Sequence, residues 1–209
     1  MSIVIKAPSG GGSISLDTQQ SVTGDHTLQL PTGVGSAGQV LKNSSTAGTL
    51  EFAQGGKILQ VVQSVKTDTD SMTGTTYDDL GLSVTITPSS STSKILIACF
   101  ASIGASTGYD CSLRLVRGST PVLVGDAAGN RTPSTSTFTG NWTTVTYARQ
   151  NVAINYLDSP ATTSATTYKI QARTYSTGTV YINRGHNDND LAAYEARAAS
   201  SIIAMEVAA

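Results

Sequence analysis

Charge is scarce in this sequence. Only 13 basic and 14 acidic side chains occur among 209 residues, about half the usual density of a soluble chain. The six lysines and seven arginines are scattered and the formal net charge is -1, which excludes the basic footprint of a nucleic-acid binder or a polybasic membrane contact. Long hydrophobic runs are missing as well. The most apolar stretch, residues 95–103, is interrupted by Ser102 and falls far short of the ~20 residues a membrane helix needs. Ile3-Val4-Ile5 is too short for a secretory core and Gly10-Gly11-Gly12 follows at once, so neither a signal peptide nor membrane insertion is expected. The chain ends at Ala209 directly after an apolar segment, and no flexible tail is expected there.

Cysteine is nearly absent. Cys99 lies in the apolar run 95–100 and Cys111 opens an alternating segment; both read as small buried hydrophobes. A bridge between them is disfavoured without an export signal. His26 and His186 stand far away in sequence, so no zinc pattern forms. No metal and no cofactor is expected.

What the chain does have is hydroxyls and glycine: 26 Ser, 30 Thr and 20 Gly. Polarity is carried by side-chain hydroxyls and backbone rather than by ions. Amphipathic helices draw on Glu, Lys, Arg, Gln and Leu, whereas Thr, Val, Ile and Tyr suit the pleated surface of a strand. The composition predicts an all-β protein.

A shift near Gly55-Gly56 divides the chain. Residues 1–56 hold ten of the twenty glycines and only thirteen large apolar side chains, in short pieces. Such a segment cannot close a core alone, and it reads as an extended, glycine-rich β arm or stalk that gains its stability from other copies of itself or from a larger particle. Residues 57–209 carry strand-length alternations separated by turn chemistry. Leu82, Val84 and Ile86 alternate with polar residues before Pro88; Cys111, Leu113 and Leu115 do so before Gly118; Tyr168, Ile170 and Ala172 repeat the pattern, and so do Val180 and Ile182. Adding the segments 58–65, 94–103, 121–124, 143–156 and 201–207 gives about nine strands, the count of a β-sandwich, with a jelly roll favoured over an immunoglobulin type. The alanine-rich stretch 191–199 reads equally as a short helix or part of a strand.

Gly33-Val34-Gly35-Ser36-Ala37-Gly38 spells a dinucleotide fingerprint, but that chemistry needs a preceding strand and a following helix. The polar residues 39–45 supply no such helix, and a glycine turn is the reading. No Gly-x-Ser-x-Gly elbow is present. Asp68, Asp70, Asp78 and Asp79 cluster in a turn-rich segment and read as solvated loop residues rather than a carboxylate pair. No catalytic residue is assigned and no enzyme is expected. Residues 184–190 string together oxygen donors that suit calcium, yet lack the glycine and distal glutamate of an EF-hand, so an exposed turn is the first reading. The sequons at Asn43, Asn130 and Asn141 carry little information in a chain this rich in Ser and Thr.

Recognition of a sugar needs paired hydrogen bonds and a flat apolar face together. Three loops offer amide, hydroxyl and aromatic groups side by side: Asn141-Trp142, His186-Asn187-Asp188 and Tyr109-Asp110. Trp142 also reads as a core residue at a strand start.

Two stretches carry a resemblance. Leu28-Gln29-Leu30-Pro31-Thr32-Gly33, followed by residues 35–41 and Gly48-Thr49-Leu50-Glu51-Phe52, resembles the short β repeats of bacteriophage tail-fibre proteins. Residues 56–63, 82–88, 93–97 and 156–169 resemble the β-sandwich domain that recurs in phage structural proteins, especially those of marine and cyanobacterial phages. The resemblance implies a virion protein, a homotrimer that contacts other tail or capsid proteins and a host-surface glycan. A tail fibre is favoured over the alternative, a capsid decoration or cement protein. The resemblance transfers no receptor-binding residue by position.

Overall fold

The computed structural model describes residues 3–6, 13–16, 28–36, 38–106, 108–139, 148–191, 193 and 195–209. The chain falls into two compact units, residues 1–55 and 56–209. Among the described residues all regular structure is β.

In the first unit β1 (Ile3–Lys6) pairs antiparallel with β2 (Ser13–Leu16), and β3 (Gln39–Asn43) with β4 (Leu50–Gln54). The turn joining β3 to β4 is closed by Ser44 N–H donating to Thr49 O at 2.8 Å, with Thr46 N–H held by Ser44 Oγ at 3.0 Å. Leu28, Leu30, Val34, Val40 and Leu41 are all exposed. Two-stranded ribbons have no second layer to bury a face against, and are marginal alone.

The second unit is a sandwich of two antiparallel sheets, each four strands wide. The first sheet runs β7 (Asp78–Ile86), β13 (Thr166–Thr174), β9 (Asp110–Arg117), with the far edge of β9 shared end to end by β10 (Thr120–Val122) and β11 (Ser136–Thr139). In the second sheet β8 (Lys94–Ala105) has β12 (Arg149–Asp158) on one edge. Its other edge is shared end to end by β15 (Ser200–Val207) and β14 (Thr179–Ile182), and beyond these lie β5 (Ile58–Lys66) and β6 (Asp70–Thr73) in the same end-to-end arrangement. When each end-to-end pair is counted as one strand, the eight positions read 2-7-4-5 in the first sheet and 1-8-3-6 in the second. That order is a jelly roll, as the strand spacing predicts.

Period-2 alternation builds the core. Leu80, Leu82, Val84 and Ile86, with Leu113, Leu115, Tyr168 and Ile170 of the same sheet, share one core cluster with Ile95, Ile97, Ile103, Ile202 and Val180 of the other. Cys99 and Cys111 are buried and free, and burial pushes each thiol up to about 12, so both act as small apolar side chains. The Asp cluster departs from the expected solvated loop. Asp70 lies in β6, and Asp78 and Asp79 open β7. The described residues of 191–199 form neither helix nor strand.

The jelly-roll order sorts the connections onto two poles. At one pole the chain enters at Lys57, where Ala208 N–H donates to Lys57 O at 2.7 Å, beside the turns 87–93, 118–119 and 159–165. At the opposite pole lie the turns 74–77, 106–109 and 175–178, tied together by Thr174 N–H to Gly74 O at 2.9 Å and Ser106 N–H to Thr179 O at 2.9 Å. The eighth strand is split by the excursion 183–199, and Asn183 closes the seam. Fully buried and at φ 65°, Asn183 donates from Nδ2 to Lys66 O and Asp68 O, both at 2.8 Å, and accepts from Ser200 Oγ at 2.6 Å. These bonds satisfy backbone carbonyls that the break in the ladder would leave unpaired.

Among the described residues the buried hydrophobic cluster of the sandwich runs from Met72 to Ala204, with Val62 packed against it. A protein of residues 57–209 is therefore expected to keep a cooperative thermal transition within a few degrees of the full chain. Loss of that transition in a melting experiment would show that the sandwich depends on residues 1–56.

Candidate functional site

The two outer faces of the sandwich differ in chemistry. The outer face of the first sheet carries Asp79 on β7, Lys169, Gln171 and Arg173 on β13, and Ser112 and Arg114 on β9. Register places Gln171 between Asp79 and Arg114, and Arg173 beside Ser112. The side chains form a continuous lattice: Lys169 Nζ and Gln171 Nε2 each donate to Asp79 at 2.7 Å, and Arg114 donates to Gln171 Oε1 at 2.9 and 2.7 Å. Burial opposes the Asp79 charge, but the Lys169 and Gln171 donors outweigh it and hold the carboxyl below its ordinary value. Arg114 stacks over the Tyr77 ring at 4.1 Å, with Arg173 at 5.8 Å, and burial raises the Tyr77 hydroxyl above the usual phenol range.

Over this lattice folds the connection between β10 and β11. Gly125 N–H donates to Ser134 O at 3.2 Å and Arg131 N–H to Ala128 O at 3.2 Å, closing the excursion on itself. Tyr77 Oη to Pro133 O at 3.4 Å and Arg173 Nη1 to Thr132 Oγ1 at 3.0 Å tie it to the sheet. Between it and the loop-bearing ends of β9 and β13 opens a cleft of about 270 Å³, lined by Asp110, Ser112, Asn130, Arg131, Thr132, Arg173 and Tyr175. An adjoining hollow of about 300 Å³ runs from Asp110 and Ser112 to Thr137 and Phe138. Tyr175 stands 77% exposed at the cleft edge, and its backbone N–H donates to Asp110 O at 3.0 Å.

The loop residues singled out in the sequence fall in different places. Tyr109 and Asp110 reach the loop pole. Tyr109 packs on the 175–178 turn, where a Cβ on Gly178 would meet its ring at 2.5 Å, and its hydroxyl lies 3.4 Å from Thr177 Oγ1. Asp110 lines the cleft. Asn141 and Trp142 lie outside the described residues. The strand ends that flank them, Thr139 paired with Asp110 and Arg149 paired with Gly104, are at the loop pole.

His186, Asn187 and Asp188 belong instead to the excursion 183–199 on the second sheet. His186 Nδ1 is 3.0 Å from Tyr181 Oη, Arg184 lies 4.0 Å over the Tyr181 ring, and Asp188 is paired with both Arg184 and Arg197. The backbone here runs hard against the sheet: a Cβ on Gly104 would sit 2.4 Å from Arg184 O. Asp188 thus pairs within its own excursion, and among the described residues no cluster of metal-ligating side chains occurs.

The outer face of the second sheet carries a feature that alternation alone did not show. Val61 and Val65 on β5, Phe100 on β8 and Leu157 on β12 are 59, 55, 45 and 46% exposed, and Ile203 and Met205 on β15 and Leu96 on β8 are half-buried among them. Among the described strand residues of this face, charge enters at its two ends, with Lys94 and Arg149.

No protein-family model matches the sequence, and no curated protein matches it. Among solved structures the chain is similar to particles of infectious bursal disease virus. The Gx strain shares 10% identity over 82% of this chain and 42% of that one, with a TM-score of 0.36. The T13 particle shares 11% over 83% and 41%, with a TM-score of 0.38. The VP2 subviral particle shares 13% over 82% and 43%, with a TM-score of 0.32. The chain spans about two-fifths of the length of these proteins. Likeness this slight establishes no relationship, and the jelly-roll assignment rests on strand order.

Proposed function

We propose that this chain is a virion structural protein of the tail-fibre kind, assembled with further copies of itself and exposing its loop pole to the host surface. The observation that carries this reading is the polarity of the sandwich: the chain enters it at one pole, while the cleft and the loops 106–109 and 175–178 open at the other. A head delivered from one end and presenting loops at the other suits attachment. The phage tail-fibre resemblance of residues 28–52 agrees with it. A capsid decoration protein is the second reading, favoured by the same apolar face if that face meets shell subunits.

Strand β15 supports assembly through the second sheet. Its more apolar register, Ile203, Met205 and Val207, faces outward, while Glu206 faces the core. A strand with a permanently wet outer face takes the opposite register. The face is four strands wide, and its apolar side chains are interleaved with Gln63, Ser201 and Asn155, the mixed chemistry of a non-obligate interface. Being uncharged over its centre, it meets a second copy of itself without like-charge repulsion.

The chain is therefore expected to sediment as an oligomer, a trimer in our reading, at micromolar concentration. Phe100→Lys combined with Leu157→Lys is expected to yield monomer with little loss of melting temperature, because both side chains are exposed within the chain. A wild-type monomer in analytical ultracentrifugation would refute the assembly. Labelling of intact particles separates the two readings of place: few copies at the tail for a fibre, many over the shell for a decoration protein.

A further inference from the structure

We propose that the cleft between the 123–135 excursion and the loop-bearing ends of β9 and β13 binds an anionic saccharide, one carrying carboxylate or sulfate groups. The inference deepens the attachment reading and rests on it for its biological setting, though not for its chemistry.

Arg131 and Arg173 both line the cleft. A guanidinium has five N–H donors in a planar fork that matches carboxylate or sulfate oxygens. Arg173 spends Nη1 on Thr132 Oγ1 at 3.0 Å and is steadied over the Tyr77 ring, so its orientation is set before a ligand arrives. Arg131 spends Nη1 on Ala128 O at 3.3 Å. Among the described residues neither arginine is paired with a carboxylate, in contrast to Arg117, Arg184 and Arg197. Asp110 is the one carboxylate among the described residues lining the cleft, so the lining carries a net positive charge on a chain whose net charge is -1.

The remaining groups suit a sugar ring. Tyr175 offers an exposed aromatic face, while Asn130, Ser112 and Thr132 supply amide and hydroxyl partners. An aromatic plane beside hydroxyl-matching groups recognises a pyranose, and the two arginines select an acidic one. The surface is open and the expected affinity is weak, of the kind that several copies on one particle raise by effective concentration.

The test is titration calorimetry of the full 209-residue protein with galacturonate hexamer, a sulfated dextran oligomer and maltohexaose. The expected result is binding of an acidic probe with maltohexaose about tenfold weaker or undetectable. The two acidic probes separate carboxylate from sulfate recognition. Arg131→Gln and Tyr175→Ala should each weaken the preferred probe by about tenfold with unchanged melting temperatures, a tenfold loss corresponding to about 1.4 kcal/mol.

Equal binding of maltohexaose, or equal competition by a polyaspartate of matched charge, would overturn the proposal. So would unchanged affinity in both variants. If no probe binds while the protein still adsorbs to host cells, the cleft assignment fails and the attachment reading survives; if adsorption is absent as well, both fail.

Discussion

Replacing Asp158 with alanine is expected to lower the melting temperature by about 10 °C. Asp158 ends β12 in the second sheet and is 3% exposed. It accepts from Arg117 Nη1 on β9 at 2.9 and 2.8 Å and from Tyr168 Oη on β13 at 2.6 Å. One carboxylate thus ties both sheets together at the entry pole. Burial, with the neighbouring Asp158 charge and its hydrogen bond, raises the Tyr168 hydroxyl well above the usual phenol range, so Tyr168 remains a donor at any pH the fold survives.

Removing one partner of a buried pair costs about 3 to 5 kcal/mol. The Arg117 side chain is 29% exposed and regains some water, which places the loss near the lower end. At about 2–4 °C per kcal/mol for a domain of this size, the shift is near 10 °C. The triple variant Asp158→Leu, Arg117→Met, Tyr168→Phe is expected to recover more than half of it, because well-packed apolar groups replace buried ion pairs at little cost. A shift below about 2 °C for Asp158→Ala would show that the pair contributes little.

The same residue shows where sequence reading stops. Alternation located β7, β9, β13 and β14 because each buries one face against the opposite sheet, and period 2 follows from the pleat. It overlooked β6 and β11, whose four residues each show no period. Asp158-Ser159-Pro160 looks like turn chemistry, yet Val152, Ile154, Tyr156 and Asp158 share one parity and point inward. Extending the alternation by two residues would have found the buried carboxylate.

The inversion of β15 was hidden for another reason. Both of its faces are largely apolar, so pattern alone cannot choose between them. The cleft was legible only at Asp110. Arg131, Arg173 and Tyr175 lie far apart in sequence and meet through jelly-roll strand order, which alternation does not encode.

Stability should also fall as pH drops from about 5 toward 2, and Glu206 should account for a large share of the fall. Glu206 is fully buried on β15. Burial raises its carboxyl, but donors from Gln60, Ser89 and Ser93 outweigh that and hold it at about 2 against an ordinary 4.5. Gln60 Nε2 lies 2.6 Å from Oε2, and Ser89 N–H and Oγ lie 2.7 Å from Oε1. Gln60 also reaches Thr87 O at 2.7 Å, so the carboxylate organises the 87–93 turn.

Because the folded value lies below the unfolded one, the stabilisation is complete above about pH 5. It is lost as pH falls through the ordinary value toward the folded one, since the unfolded chain takes up the proton first. At 1.36 kcal/mol per unit, the contribution is on the order of 3 kcal/mol. Urea unfolding from pH 7 to 2.5 is expected to show this decline in the wild type and a flatter profile in Glu206→Gln. That variant also starts lower at pH 7, because its amide NH₂ then faces either the Gln60 donor or the Ser89 donors. Asp79→Asn serves as the control: Asp79 is held low by Lys169 and Gln171, but its side chain is 46% exposed and solvent screens the pair, so most of the slope should remain. A Glu206→Gln profile parallel to wild type would place the acid sensitivity elsewhere.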